Sequence, residues 1–427
     1  MKALVKPLYI NGNYNLKTIK YPVVAYIKVS TFCNLCCSFC SQGDEVKSNM
    51  DFKLVKKLFR ELKSIGIVNL IYTGGEPLSN KYLCKIMKYG YELGFNQTLV
   101  SNIVDLFKNN NEEVLNYISS VGISLHGNES IHDSIVNCHG AFKIVTDNIE
   151  VISRLYKNIN ININCTLIEE NMSDNNIDFL LNYVMQKNIK LCFGRLNYVG
   201  FAVDNKIIHP NLFLEKIDRI KKIYSNIEIS NCIARCVCDD KYKYLSHSCG
   251  AGLSIISIEP NGDVKICPTS KIVLGNVKEQ SIKKIWKNYK MLKFKSMKWL
   301  PNTCIMCKDL LHCKGGCHAE DNQLFWKGIC DSTVIFKWKE IWNTMSKQKL
   351  ILNSNLVRKE KDKIFIIGCP SVRVNKIGFW IIGLINGQFT GDEILKKCKK
   401  IKNTKDFLIS LYLNNIIGVK NEKEAIK

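Results

Sequence analysis

From about Tyr21 to Arg195, β-rich runs alternate with amphipathic helical stretches, and this alternation leaves few folds open. VVAYIKVS (Val23–Ser30) is rich in strand formers. DFKLVKKLFRELKSIG (Asp51–Gly66) follows, with Phe52, Val55, Leu58, Phe59 and Leu62 on one helical face and Gly66 where a helix should stop. VNLIYT (Val68–Thr73), NQTLVS (Asn96–Ser101), VGISL (Val121–Leu125), ININCTLI (Ile161–Ile168) and IKLCFG (Ile189–Gly194) repeat the theme. Strands separated by helices pair in parallel through right-handed crossovers. About six units fit, which predicts an α/β fold, a partial (β/α)6 TIM-like barrel. In such folds chemistry gathers at the C-terminal ends of the strands.

Past about Cys232 the texture changes. Turns and cysteines dominate to about Ile341, as in regions that use metal as a staple in place of a large core. ILNSNLVRKEKDK (Ile351–Lys363) reads as a polar connection. A small unit follows, with strands at Lys363–Cys369 and Ser371–Val374 and a helix from Lys376 to Ile385. A second helix opens at TGDE, where Thr390 and Glu393 form a capping box, and a third covers Asp406 to Asn414. The expected division is an extension over 1–20, the barrel over 21–225, a cysteine-rich domain over 226–345 and a winged-helix-like domain over 346–427.

MKALVKPLYINGNYNLK lacks the apolar core of a signal peptide, and the apolar run Phe379–Ile385 is too short to span a bilayer. A soluble, cytosolic protein is expected, and there the 20 cysteines point to metal or redox chemistry more than to disulfides. Cys84, Cys165, Cys192 and Cys398 sit singly in apolar patterns and read as small buried hydrophobes. The net charge of +23 suits a polyanion or an acidic peptide, with codon bias toward Lys as the plain alternative. No Arg-rich stripe with interleaved aromatics is present, so nucleic acid is not the expected partner.

Four cysteines crowd into CNLCCSFC, directly after the first strand. Cys33, Cys37 and Cys40 have the spacing C-x3-C-x2-C, which suits three corners of a cubane iron–sulfur cluster, with Cys36 a bystander. Zinc competes, although structural zinc usually takes four close ligands. TGGEP (Thr73–Pro77) follows the second strand, with glycines that let backbone approach a ligand. The cysteine loop and GGEP together resemble the radical S-adenosylmethionine superfamily over roughly Tyr21 to Arg195.

The resemblance implies that the cluster's open iron chelates the amino and carboxylate groups of S-adenosylmethionine. It implies that Gly74, Gly75, Glu76 and Pro77 line the methionine amino group, and that Ser101, Asn102, Ser124 and Arg195 help hold the ribose or carboxylate. His126, where many relatives carry an acidic residue, receives no role beyond packing or surface. One-electron cleavage of the cofactor would yield a 5′-deoxyadenosyl radical, which abstracts a hydrogen that acid–base chemistry cannot remove.

Further on, CGAGLSIISIEPNGDVKIC holds Cys249, Gly262 and Cys267. NTCIMCKDLLHCKGGC gives Cys304-x2-Cys307-x5-Cys313-x3-Cys317, and Cys330 follows in GICD. With LGNV (Leu274–Val277), these resemble the SPASM pattern of peptide-modifying radical enzymes, a zinc ribbon being the plain alternative. The resemblance implies two auxiliary clusters, hence three [4Fe–4S] clusters in all. Cys249, Cys267 and Cys317 would hold the nearer one, and Cys304, Cys307, Cys313 and Cys330 the farther one. The nearer set is one ligand short. Either a thiolate of CIARCVC (Cys232, Cys236, Cys238) completes it, or one iron stays open to a substrate cysteine.

Leu356 to Val419, most strongly VRVNKIGFWIIGLINGQFTGDEILKKC, resembles the PqqD-like peptide-recognition element. An open sheet edge can take an extended leader peptide as one more strand. From Lys337 onward there are 19 Lys and Arg against 8 Asp and Glu, a balance that would draw acidic leader residues. A helical cap and a DNA-binding winged helix are the plain alternatives. The combined expectation is a radical S-adenosylmethionine/SPASM maturase that crosslinks a ribosomally made precursor peptide through a thioether or carbon–carbon bond. A reducing donor such as flavodoxin or ferredoxin would feed it, and no membrane partner is expected. Peptide epimerisation, sulfatase or protein-cofactor maturation, and an iron–sulfur carrier or DNA-binding regulator are the rival readings. Pro268 after Cys267 counts against the sulfatase reading, which expects an acidic residue there.

Overall fold

The computed structural model describes residues 20–317 and 332–420, apart from 44, 207, 231, 298, 301–303, 305–306, 308, 354–356, 361–362, 367–371, 375, 402–403 and 414–415. The expected extension over 1–20 and Cys330 therefore lie outside the described residues, save Lys20. Strands β1 (Val24–Ser30), β2 (Asn69–Gly74), β3 (Asn96–Ser101), β4 (Ser120–Ser124), β5 (Asn160–Leu167) and β6 (Lys190–Arg195) pair in chain order, all parallel. Helices α1 (Phe52–Ser64), α2 (Leu83–Glu92), α3 (Glu129–Val136), α4 (Ala141–Leu155), α5 (Asp174–Lys187) and α6 (Pro210–Ile223) run between and after them. Each strand lies within a residue of its expected place. Helix α1 shows why the pattern is readable. Asp51 caps it by accepting from the Lys53 N–H, Val55, Leu58, Phe59 and Leu62 are buried, and Gly66 leaves it at φ +88°.

The cysteine-rich region extends this same sheet. Beyond β6 lies the short parallel β7 (Ile227–Ile229). On the opposite side β8 (Ile255–Ile258) pairs in parallel with β1, and β9 (Asp263–Lys265) and β10 (Val273–Asn276) continue it antiparallel. The result is one ten-stranded sheet, β10-β9-β8-β1-β2-β3-β4-β5-β6-β7. A buried ion pair sits at the β1–β8 seam, where Lys28 Nζ lies 2.9 Å from Glu259 and also pairs with Glu45. The Ile282 N–H donates to the Glu61 carboxylate (2.9 Å) and Trp286 Nε1 donates to the Lys20 carbonyl (3.0 Å), so the region also clasps α1 and the start of the barrel. One hydrophobic core runs from Ala25 to Cys317.

A second core begins within the helix Ser332–Ser346, at Ile341, Trp342 and Met345, and continues through Leu350, Ile381, Ile394, Leu408 and Ile417. It carries β11 (Leu350–Leu352) paired with β15 (Ile417–Val419). Beside it, β12 (Val357–Glu360), β13 (Lys363–Ile366) and β14 (Val372–Val374) form an antiparallel sheet. The helices Lys376–Gly383, Gly391–Lys397 and Thr404–Leu413 follow, and the Thr390–Glu393 capping box is formed. One expectation is corrected: Ile351–Lys363 is not a polar connection but contains most of β11 and all of β12. Leu350 is fully buried, and the chain after it is held as strand by β15 and β13, partners that composition does not reveal. Cys165, Cys192 and Cys398 are buried as expected, but Cys84 is only half-buried, because its thiol donates to Glu113 (3.3 Å) at the surface. Among the described residues no helix is long and apolar enough to cross a membrane.

Candidate functional site

The cysteine loop leaves β1 at Ser30 and is tied shut at its base. Thr31 Oγ1 donates to the Val46 carbonyl (2.8 Å) and accepts from the Ser48 N–H (2.6 Å), while the Met50 N–H donates to Val29 (2.8 Å). Its crown rests on the end of α3 through Cys36 N–H to Val136 and Ser38 N–H to Ile135. Cys33 is exposed and Cys37 and Cys40 are half-buried. Although the residue's surface is exposed, the atoms packed around its sulfur, then the neighbouring Glu76, Cys40 and Cys36, push the Cys33 thiol up to about 11. Burial, then Cys40 and Cys33, pushes Cys37 up to about 12, with Cys36 the weakest sulfur neighbour of both. Thiols gathered this way ionise together only against a cationic centre, which is the chemistry of a metal cluster. Phe39 meets the His126 ring edge-on at 4.9 Å, and His126, itself buried, stacks on His132. His126 is therefore a packing residue, and burial lowers its pKa to about 3.

The GGEP turn lies directly against this loop. Gly75 N–H donates to the Ser30 carbonyl (2.8 Å) and Glu76 N–H to the Phe32 carbonyl (2.7 Å). A Cβ on Gly74 would stand 2.2 Å from the Ser30 oxygen, and one on Gly75 would stand 2.4 Å from the Phe32 oxygen. Pro77 opens a short 3-10 turn that the Glu76 side chain caps. The Glu76 carboxylate accepts from Leu78 N–H (3.0 Å), Ser101 Oγ (2.7 Å) and Asn102 N–H (2.9 Å). Burial nevertheless dominates and raises its pKa to about 7.

Asn102 Nδ2 then donates to Asn34 (2.8 Å), beside Cys33, and Asn34 Nδ2 donates to Asp105 (2.8 Å). The ends of β1, β2 and β3 are thus wired into one rim. Ser124 ends β4 and the buried Arg195 ends β6, on the same end of the sheet. Asn34 and Asp105 were not singled out from the sequence, although Asn34 lies inside the cysteine motif. Nor was Ile103, a β-branched residue at φ +54° just past Asn102, held by Ser101 Oγ accepting its N–H (2.8 Å) and by Asn148 donating to its carbonyl (2.8 Å). On the loop's far side Gly200, at φ +62°, packs where a Cβ would lie 2.5 Å from the Cys40 oxygen, which Phe201 N–H also reaches (2.9 Å).

Inward-facing strand residues, among them Tyr26, Ile71, Thr98, Gly122 and Asn164, line a cavity of about 470 Å³ that His247 and Ser248 reach from the cysteine-rich region. Tyr26 lines this cavity, and burial, then the sulfurs of Cys267, Cys192 and Cys249, pushes its phenol up to about 12.

That second set forms two groups. Cys249 follows the turn at Ser248, and its sulfur accepts from Ala251 N–H (3.4 Å). Cys267 lies just past β9, where Ile266 takes the Gly252 N–H (3.1 Å) and Gly262 makes the preceding hairpin turn at φ +94°. Burial raises Cys267 to about 12, with the sulfurs of Cys249 and Cys317 adding to it. Cys317 lies 3.6 Å from Asn197 Oδ1, just past β6, and so meets the barrel. Cys232 comes to the same place, with its thiol in hydrogen-bond contact with Cys249 and Cys317. In the other group, burial, then Cys313 and Cys307, raises Cys304 to about 12. Among the described residues no three His, Cys, Asp or Glu side chains converge as ligands of a single ion. A polynuclear cluster, by contrast, takes one thiolate per iron corner.

Residues 27–180 match the Radical SAM superfamily, and residues 249–308 match SPASM, an iron–sulfur cluster-binding domain. The PqqA peptide cyclase of Bradyrhizobium diazoefficiens is 23% identical over 329 residues, 71% of this chain and 83% of that protein. The Fe-coproporphyrin III synthase of Methanosarcina barkeri is 23% identical over 372 residues, 75% of this chain and 89% of that protein. Among solved structures, Streptococcus suis SuiB bound to S-adenosylmethionine superposes with a TM-score of 0.59 at 18% identity, covering 73% of this chain and 77% of SuiB. SuiB bound to its precursor peptide SuiA gives the same TM-score.

Proposed function

We propose, for a chain that belongs to the radical S-adenosylmethionine superfamily and carries a SPASM domain, that it modifies ribosomally made precursor peptides by crosslinking. The observation that carries this is the rim at the strand ends, where the Cys33–Cys40 loop is locked by backbone hydrogen bonds onto Gly75 and Glu76. When bound, S-adenosylmethionine and a reduced iron–sulfur cluster supply a 5′-deoxyadenosyl radical that can take hydrogen from an unactivated carbon. Cys33, Cys37 and Cys40 would hold that cluster. Gly74 and Gly75 keep side chains out of the seam between loop and turn, and Glu76, already oriented by Ser101 and Asn102, would accept from the cofactor's ammonium. Pro77 sets the turn, and Asn102, Ser124 and Arg195, at the same end of the sheet, would hold the ribose or carboxylate.

The reacting peptide residue would sit beside that cofactor at the C-terminal rim; the cavity is lined by residues from the starts and middles of the strands, such as Val24, Asn69, Asn96 and Ser120, and by none of the rim residues. Cys249, Cys267 and Cys317, and separately Cys304, Cys307, Cys313 and Cys330, would hold two auxiliary clusters that accept the electron a crosslinking reaction must shed. The unit that follows would act as a PqqD-like element, taking an acidic leader along an outer strand of the β12–β13–β14 sheet. A flavodoxin or ferredoxin would supply electrons.

The test is anaerobic reconstitution with S-adenosylmethionine, dithionite and candidate precursors that have acidic leaders. Formation of 5′-deoxyadenosine and a product lighter by two hydrogens supports crosslinking. Unchanged mass with deuterium uptake from solvent marks epimerisation instead. No cubane absorption, or an intact cofactor under strong reductant, overturns the reading.

A further inference from the structure

The nearer auxiliary site draws its expected sulfurs from three separate places, the turn before β8, the end of β9 and the segment after Cys313. A fourth segment passes through the same place. The CIARCVC loop follows β7, and Cys232 at its start is buried, 3% exposed, against Cys249 and Cys317. Cys267 faces the same two sulfurs. Two bonds hold the loop past Cys232. Cys238 Sγ donates back to the Ala234 carbonyl (3.4 Å), and the Arg235 N–H is committed to Cys313 Sγ (3.4 Å) in the other group. The Arg235 guanidinium holds that turn by donating to the Lys243 carbonyl (3.1 Å) and facing Asp309 (3.6 Å). The buried Lys314 ammonium, 3.4 Å from Ser248 Oγ and near Cys249 and Cys232, offsets the charge that several thiolates would bring.

We propose that Cys232 is the fourth protein ligand of the cluster held by Cys249, Cys267 and Cys317, so that this cluster has no iron left open to a substrate. Its thiol releases one proton as the iron–sulfur bond forms, with no change in oxidation state. The proposal rests on the reading that the SPASM cysteines hold clusters. It makes the nearer cluster an electron acceptor, not a site where a substrate thiol binds iron.

The test uses the full chain with Cys33, Cys37 and Cys40 replaced by alanine, reconstituted anaerobically, so that only auxiliary clusters contribute. The reduced protein is treated with carbon-labelled cyanide and examined by electron–nuclear double resonance. The expected result is no cyanide coupling in this parent and clear coupling once Cys232→Ala is added, or loss of one cluster's iron on that substitution. Cys238→Ala should behave as the parent. Cyanide coupling in the parent, or a Cys232→Ala protein with the parent's iron content and no coupling, overturns the proposal. Should Cys232→Ala fail to fold, Cys232→Ser preserves the packing, and the parent measurement needs no change at this position. A parent with no cluster signal at all overturns the underlying reading instead, so the two failures are distinct.

Discussion

Gly75 has no room for even a methyl group, since a Cβ there would meet the Phe32 carbonyl oxygen at 2.4 Å. That oxygen is backbone and already accepts from Glu76 N–H, so the clash can be relieved only by moving the cysteine loop away from the turn. Gly75→Ala should therefore weaken S-adenosylmethionine binding about tenfold or more, equivalent to roughly 1.4 kcal/mol, as read by equilibrium dialysis. Unchanged affinity would show that the seam is soft. Glu76 makes a different prediction. Burial raises its pKa from 4.5 to about 7, so the native state holds this proton more tightly than the unfolded chain does. Cofactor-free stability should therefore fall as pH rises from about 4.5 to about 7, by about 3 kcal/mol from this group, and then level off. Glu76→Gln cannot titrate. The wild-type-minus-variant difference in urea unfolding should slope down through that window, and a flat difference would refute the assignment.

Among the elements, β1 carries most of the organisation. It pairs with β2 on one side and β8 on the other, and its end launches the cysteine loop. Its buried Lys28 joins Glu45, in that loop, to Glu259, at the end of β8. Removing Lys28 leaves Glu259 only Lys265 (3.3 Å) and returns Glu45 to solvent. Lys28→Met should cost about 1–3 kcal/mol in urea unfolding, and pairing it with Glu259→Leu should recover part of the loss. A cost under about 1 kcal/mol would mean that Glu45 and Glu259 are satisfied without Lys28.

Across the whole molecule there are two hydrophobic cores, and the helix Ser332–Ser346 brings its last turns into the smaller one. Two cores predict two calorimetric transitions. Met345 is fully buried in the smaller core, so Met345→Ala should destabilise that transition by about 2–5 kcal/mol and leave the larger one in place. A single transition that shifts as one would show that the cores unfold together.

Much of this was legible in the chain itself. The strand–helix alternation, the capping box at Thr390 and the spacing of Cys33, Cys37 and Cys40 are short-range patterns, set by side-chain periodicity, local hydrogen bonds and the reach of one loop. Other features were not legible for an equally physical reason. Lys28 reads as an ordinary strand residue until Glu45 and Glu259 close over it. Strand β12 (VRKE) looks polar until β13 pairs with it, and the short apolar β11 (LIL) borders a polar stretch until β15 pairs with it. Cys232, Cys236 and Cys238 are equivalent candidates by spacing, and only the fold sets Cys232 beside Cys249 and Cys317. Sequence alone dictates the barrel's strands and helices and its thiol-bearing loop, because those choices are made within a few residues. Tertiary structure decides which distant thiols and charges meet, because that depends on how the sheet brings residues 28, 232, 259 and 317 back to common places.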